Sequence, residues 1–151
     1  MTTTLTIAEL EDAAGLDLGA GPWHTIEQER VNLFADATDD HQWIHVDPEL
    51  AAAGPFGGTV AHGYLTMALL PGLLAELLTV SDSSLGVNYG IEKIRFPAPV
   101  RVGSRIRLHA EIRSTERRGD SIVYTVGVTV EVEGQDKPAL AGEVVYLAAT
   151  G

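Results

Sequence analysis

The sequence predicts a single α+β domain, residues 1–151, in which a curled antiparallel sheet wraps one apolar helix. Three observations carry this. At 151 residues the chain is long enough to bury one substantial core and too short for two. From Tyr64 to Leu78 it is apolar on every face except at Thr66 and Glu76, the profile of a helix enclosed all round. Beyond residue 85, apolar side chains fall on alternate positions, the period of strands with one buried face. Those strands have a face to bury, and this helix is what the chain offers to bury it. The edges that such a sheet leaves open predict pairing with a second copy, a homodimer.

Residues 1–22 read as an N-terminal helical extension. Thr6-Ile7-Ala8-Glu9 has the form of a capping box, and the leucines and alanines after it predict a short helix ending near Gly15 or Gly19. Trp23 to Ile26 reads as a brief strand. A second helix is expected from Thr25, with Thr25 as cap, Glu27 and Glu29 at the positive end of the dipole, and Val31, Leu33, Phe34 and Ala37 as its apolar stripe. It should stop near Thr38-Asp39-Asp40, where short polar side chains compete for the backbone, which leaves Asp40 in a turn. Pro48 after Asp47 opens a further short helix capped by Asp47. Gly54-Pro55-Phe56-Gly57-Gly58 is a loop, from which Phe56 could cover a pocket mouth. Within the apolar helix, Pro71 should bend or divide the axis.

The remainder is β in character. Leu85 to Phe96 is a strand ending at Pro97, Arg105 to Ile112 a second, Ile122 to Val132 a third, and Ala139 to Ala148 the last. Arg117-Arg118-Gly119-Asp120 and Glu133-Gly134-Gln135-Asp136 are the turns between them. Arg118-Gly119-Asp120 has the letters of an adhesion motif, but its place between two alternating runs makes it a hairpin tip.

Composition narrows the function. With no cysteine there is no disulfide framework, thiolate nucleophile or Cys-ligated zinc, which suits a cytoplasmic protein. Residues 1–15 lack a basic stretch ahead of an apolar run, so no secretory or transit signal is expected. The apolar run to Leu78 is interrupted by Pro71, Gly72 and Glu76 and falls short of the roughly 20 residues that cross a bilayer, so no membrane role is expected. The net charge of −11 repels phosphate and argues against nucleic acid as a partner. The charge is uneven, however. Residues 1–92 hold fourteen acidic side chains and one basic, Arg30, whereas residues 93–151 hold seven acidic and nine basic. A compact phosphate-bearing ligand could find cations there, among Lys93, Arg95, Arg101, Arg105 and Arg107.

The chemistry concentrates in Asp40-His41-Gln42-Trp43-Ile44-His45 and in Ala61-His62-Gly63. A carboxylate and an imidazole five positions apart, in a polar turn, suit proton transfer to and from one small substrate. Gly63 opens the apolar helix, where a main-chain N–H and the helix dipole favour developing negative charge. Singly, Asp40 reads as a turn residue, His45 as a buried histidine and His62 as a packing or capping residue. Their combination is what marks a site. His41 and His45, four apart beside Asp40, invite a metal reading, but Pro48 and the paired aspartates break the helix and no third ligand is evident. Neither a GxSxG elbow, a P-loop nor GxGxxG is present, which disfavours a serine hydrolase, an NTPase and a dinucleotide enzyme.

In this order, with Arg95-Phe96-Pro97-Ala98-Pro99-Val100-Arg101-Val102-Gly103 following, the residues resemble the MaoC-like (R)-specific enoyl-CoA hydratases of the hotdog fold, and within them the NodN-like branch. The resemblance runs from about residue 23 onward. It implies that Asp40 and His45 are the catalytic pair and that the N–H of Gly63 belongs to an oxyanion hole. Gln42, His62, Phe56 and Arg95 are the residues expected around the substrate, with Gln42 orienting water or thioester. The implied reaction is interconversion of trans-2-enoyl and (3R)-hydroxyacyl thioesters of coenzyme A or acyl carrier protein, with neither metal nor cofactor. A hotdog thioesterase and a non-catalytic acyl-thioester-binding module are the alternatives. The chain departs from the family motif at Asp39, where Gly is usual, and at Gln42-Trp43, where Asn-Pro is usual, a change that bears on substrate choice.

Overall fold

The computed structural model describes residues 1–150. Residues 1–22 are not simply helical: they form β1 (Thr3–Leu5), α1 (Ile7–Glu11) and β2 (Asp17–Ala20). The capping box is present, with Glu9 N–H donating to Thr6 Oγ1 at 3.2 Å and Thr6 N–H to Glu9 Oε2 at 2.8 Å. α1 ends at Glu11, short of the expected glycines, once Ile7 and Leu10 have been buried. β1 pairs in parallel with β4 (Leu78–Val80), and β2 pairs antiparallel with β6 (Arg105–Arg118). Pairing over a long sequence distance thus overrides the local helical preference of this segment.

β3 (His24–Thr25) also joins β6, pairing His24 with Ile106 and Thr25 with Arg105. This delays the next helix: α2 spans Gln28–Thr38, with Glu27 at its cap making no side-chain hydrogen bond, and Thr25 stays in the strand. The buried face of α2 is Val31 and Ala35 with Phe34 half-buried; Leu33, assigned to the stripe, is 63% exposed, and Ala37 is exposed too. The helix ends as expected before Asp39. That residue is left-handed (φ 62°), a conformation glycine adopts freely and Asp tolerates, so the substitution noted in the motif falls where its backbone cost is small.

The apolar segment is divided. α5 (Gly63–Ala68) and α6 (Leu70–Ala75) meet at Leu69, and Pro71 lies in the first turn of α6, where its missing N–H has no helical partner to lose. The chain leaves the helix before Leu78, which begins β4. Leu65, Leu70, Leu73 and Leu74 pack into the core, but Tyr64 is 68% exposed, and Ala68, Gly72 and Ala75 repeat that open side at helical spacing. The expectation of a helix enclosed all round therefore fails for the single chain, because the sheet covers one side only.

The main sheet runs β2-β6-β7-β8-β5, with β3 beside β6; β5 is Leu85–Arg95, β7 Ser121–Val132 and β8 Leu140–Ala149. Gly119 and Asp120 form the tip of the β6–β7 hairpin, as expected. Alternate residues of β6 and β7, among them Leu108, Ile112, Val126 and Val130, are buried and meet the helices in one core. β5 is an edge strand and is exposed along almost its whole length, including Leu85, Val87, Tyr89 and Ile91. Among the described residues, no helix is long and apolar enough to cross a membrane.

Candidate active site

Two short helical turns follow α2: α3 (Trp43–Val46) and α4 (Pro48–Ala52). His45 therefore stands on a helical turn, not in the irregular turn expected from sequence. Asp47 caps α4 as predicted, accepting from Leu50 N–H at 3.0 Å. Trp43 packs over Gly54, where a Cβ would come within 2.9 Å of the indole. The loop glycine is thus the counterpart of the tryptophan that replaces proline in the motif.

Residues 59–61 run as a short extended segment beside residues 100–102. Val102 N–H donates to Thr59 O at 2.9 Å, and Ala61 N–H to Val100 O at 2.8 Å. On its other side Val60 N–H donates to Ile44 O at 2.9 Å. The segment thereby joins α3 to the head of α5. His45, 7% exposed, places Nδ1 2.6 Å from Val60 O. A carbonyl only accepts, so Nδ1 carries the proton and the Nε2 lone pair is free to act as a base. Burial, the largest effect, pushes the His45 pKa below its ordinary value, with like charge at His62 adding to it; the Val60 carbonyl and Asp40 oppose the shift.

Gln28 is a residue that the sequence did not single out. Its amide donates to His45 O at 2.7 Å and to Asn32 Oδ1 at 2.9 Å, and its carbonyl oxygen accepts from Thr59 Oγ1 at 2.6 Å. One side chain thus ties α2, α3 and the extended segment together. Glutamine on a helix surface carries no signal of its own, because its partners are set by tertiary folding.

Asp40, His45 and His62 each bring one side-chain N or O within 4.8 Å of the others, although Asp40 is exposed and both histidines are buried. His62, expected from sequence near the substrate, takes the third place in this cluster, and His41 is not part of it. The His62 ring stacks on His45 with centroids 3.8 Å apart and planes 23° from parallel. In rings stacked face to face the in-plane lone pairs run side by side, a poor arrangement for converging on one metal ion. Gly63 heads α5, where the first N–H groups have no helical acceptor. A Cβ on Gly63 would lie 3.2 Å from the Phe96 ring. Gly63, Phe56, Thr66 and Phe96 line a cleft of about 250 Å³ with Ala98 and Pro99.

Gln42 is exposed and caps α3 without a side-chain hydrogen bond. Of the expected cations, Arg105 pairs with Glu133 at 2.5 Å, while Arg107 pairs with Glu131 and lies over Trp23. Arg101 donates to Gly57 O at 2.9 Å and holds the glycine loop. These three are committed to the fold. Arg95 is exposed, bonding only the Ile94 carbonyl at 3.3 Å, and Lys93 is exposed beside it.

Residues 9–134 match the family model described as the MaoC like domain. The chain is 56% identical over 144 residues to 3-hydroxyacyl-thioester dehydratase Z of Mycobacterium tuberculosis, covering 95% of each chain. It is 44% identical over 139 residues to nodulation protein N of Rhizobium leguminosarum bv. viciae, covering 90% of this chain and 86% of that one. Among solved structures it resembles an R-hydratase from Pseudomonas aeruginosa, with a TM-score of 0.77 at 24% identity over 97% of this chain and 87% of that one. At that identity the likeness speaks for the shared backbone alone.

Proposed function

This chain belongs to the MaoC-like dehydratase family, and from that premise we propose that it is a hydro-lyase interconverting trans-2-enoyl and (3R)-hydroxyacyl thioesters. Asp40 and His45 are the acid–base pair, and the N–H of Gly63 receives the charge that develops on the thioester oxygen. The observation that carries this reading is the approach of Asp40 to His45, whose Nε2 is left free by the Nδ1–Val60 hydrogen bond. Water held between carboxylate and imidazole loses a proton as it adds to C3, and C2 takes one up. The negative charge in between rests on the thioester oxygen, where an N–H at the head of a helix stabilises it. Gln42 and Phe56 flank the substrate. The reaction draws on no metal or cofactor, and a chain without cysteine is suited to running it in the cytoplasm.

The test is hydration of crotonyl-CoA and longer enoyl-CoA esters, followed by loss of the conjugated thioester absorbance, with chiral analysis of the product. Formation of (3R)-3-hydroxyacyl-CoA is expected. Release of free thiol without hydration would make the protein a thioesterase instead, and binding without turnover a carrier module. Within the same assay, Gly63→Ala is expected to lower kcat about a hundredfold while the protein stays folded, since the added Cβ presses on Phe96 and displaces the N–H. A Gly63→Ala enzyme with undiminished kcat would remove Gly63 from the oxyanion role.

The phosphates of the carrier meet Lys93 and Arg95, the two cations of this region that are not engaged elsewhere in the fold. Arg95→Glu is therefore expected to raise KM for CoA esters several-fold with kcat little changed, and an unaltered KM would count against it. The working unit is a homodimer joined along β5. In its support, this long edge strand leaves apolar side chains exposed, and the open face of α5 and α6 is one that a partner can cover.

A further inference from the structure

His62 has no proton to transfer in the reaction proposed above, yet it is among the most buried polar residues, at 3% exposed. Its Nε2 lies 2.9 Å from the main-chain carbonyl of Asp40. Since that oxygen only accepts, Nε2 carries the ring's proton and Nδ1 is bare. Nδ1 is itself buried and has no hydrogen-bond partner among the described residues. A proton there would leave both a donor and a charge shut away from any acceptor. One face of the ring lies on His45, and Phe34 meets it edge-on at 5.0 Å.

We infer that His62 is a positioning residue for the Asp40–His45 pair: a buried ring that anchors the Asp40 main chain with one edge and shields the His45 ring with one face. The inference rests on the acid–base reading of Asp40 and His45. The shield also has a consequence for His45. Burial is the main cause of its lowered pKa, and the His62 ring supplies part of that burial. The charges that act on His45 are those of Asp40, from the segment after α2, and of His62 itself, from the head of α5; its other close partners, Val60 O and Gln28, are uncharged.

Two substitutions separate the functions of edge and face. His62→Gln can keep a donor to the Asp40 carbonyl but loses the stacked ring. His62→Phe keeps a flat apolar cover but loses the donor. Titration of the His45 ring by NMR, which needs no turnover, should show its pKa rising toward the ordinary value in His62→Gln and staying near wild type in His62→Phe. Hydration of crotonyl-CoA should behave the other way at alkaline pH. There His62→Phe is expected to lose about tenfold to a hundredfold in kcat through misplaced Asp40, while His62→Gln loses less and its acid limb moves to higher pH.

The nitrogen shifts of the neutral His62 ring in the wild-type protein provide a check that no variant can compromise: they should report the Nε2–H tautomer. An Nδ1–H tautomer overturns the inference, and so do two folded variants with wild-type His45 titration and kcat. Should the wild-type protein hydrate no enoyl-CoA while His45 titrates as expected, the proposed activity falls and the coupling of the two rings stands.

Discussion

Asp40→Asn is expected to slow hydration of crotonyl-CoA about a thousandfold and leave thermal stability unchanged, in keeping with the usual contribution of a general acid–base group. The substitution preserves shape and removes only the capacity to hold and release a proton. Asp40 is exposed, and it is its main-chain carbonyl, untouched by the change, that His62 grips. His45→Ala should lose at least as much activity but behave differently in stability. It strips the Val60 carbonyl of its donor and uncovers the His62 ring, at a cost of about 1–3 kcal/mol. Steady-state rates and thermal unfolding followed by circular dichroism, measured on both variants, check the contrast. Turnover that survives in both would leave the proposed chemistry without its acid and base.

The other large effect lies at the sheet edge. Val87→Asp with Ile91→Asp is expected to convert a dimer into a monomer, read as a halving of mass in sedimentation or light scattering. Ile91 is 54% exposed and Val87 38% exposed in the single chain, on a strand of eleven residues whose outer edge is unpaired. A long, apolar, open edge is a template for another strand, and a second copy supplies one by symmetry. Carboxylates there would be desolvated and set against their own symmetry mates, which opposes association. Because neither residue contributes to the core, secondary structure should persist in the monomer. A wild-type protein that already sediments as a monomer would refute the dimer outright.

Local chemistry made several features legible in advance. The Thr6–Glu9 capping box, Asp47 with Pro48 at the start of α4, the alternation along β6 and β7 and the hairpin at Gly119-Asp120 each depend on residues a few positions apart. Where the reading failed, a distant partner had intervened. Thr25 pairs with Arg105 and so cannot cap α2, and β1 and β2 take strand form through contacts with β4 and β6. Leu33 lies outside the buried stripe because Ala35, a smaller residue with a weaker signal, faces the core.

The candidate site divides along the same line. The spacing of Asp40, His45 and Gly63 was visible because all three stand at element ends marked by polar, proline and glycine residues. That His62 would stack on His45, that Gln28 would hold α3 from behind, and that Arg101, Arg105 and Arg107 would be engaged within the fold were invisible. The sequence alone determined the α+β class, the positions of the long strands β5 to β8 and the residues capable of proton transfer, since propensity, period and side-chain chemistry are properties of short stretches. Only the tertiary structure decided which polar atoms meet and which apolar face stays bare, because hydrogen bonds and burial depend on where distant segments come to rest.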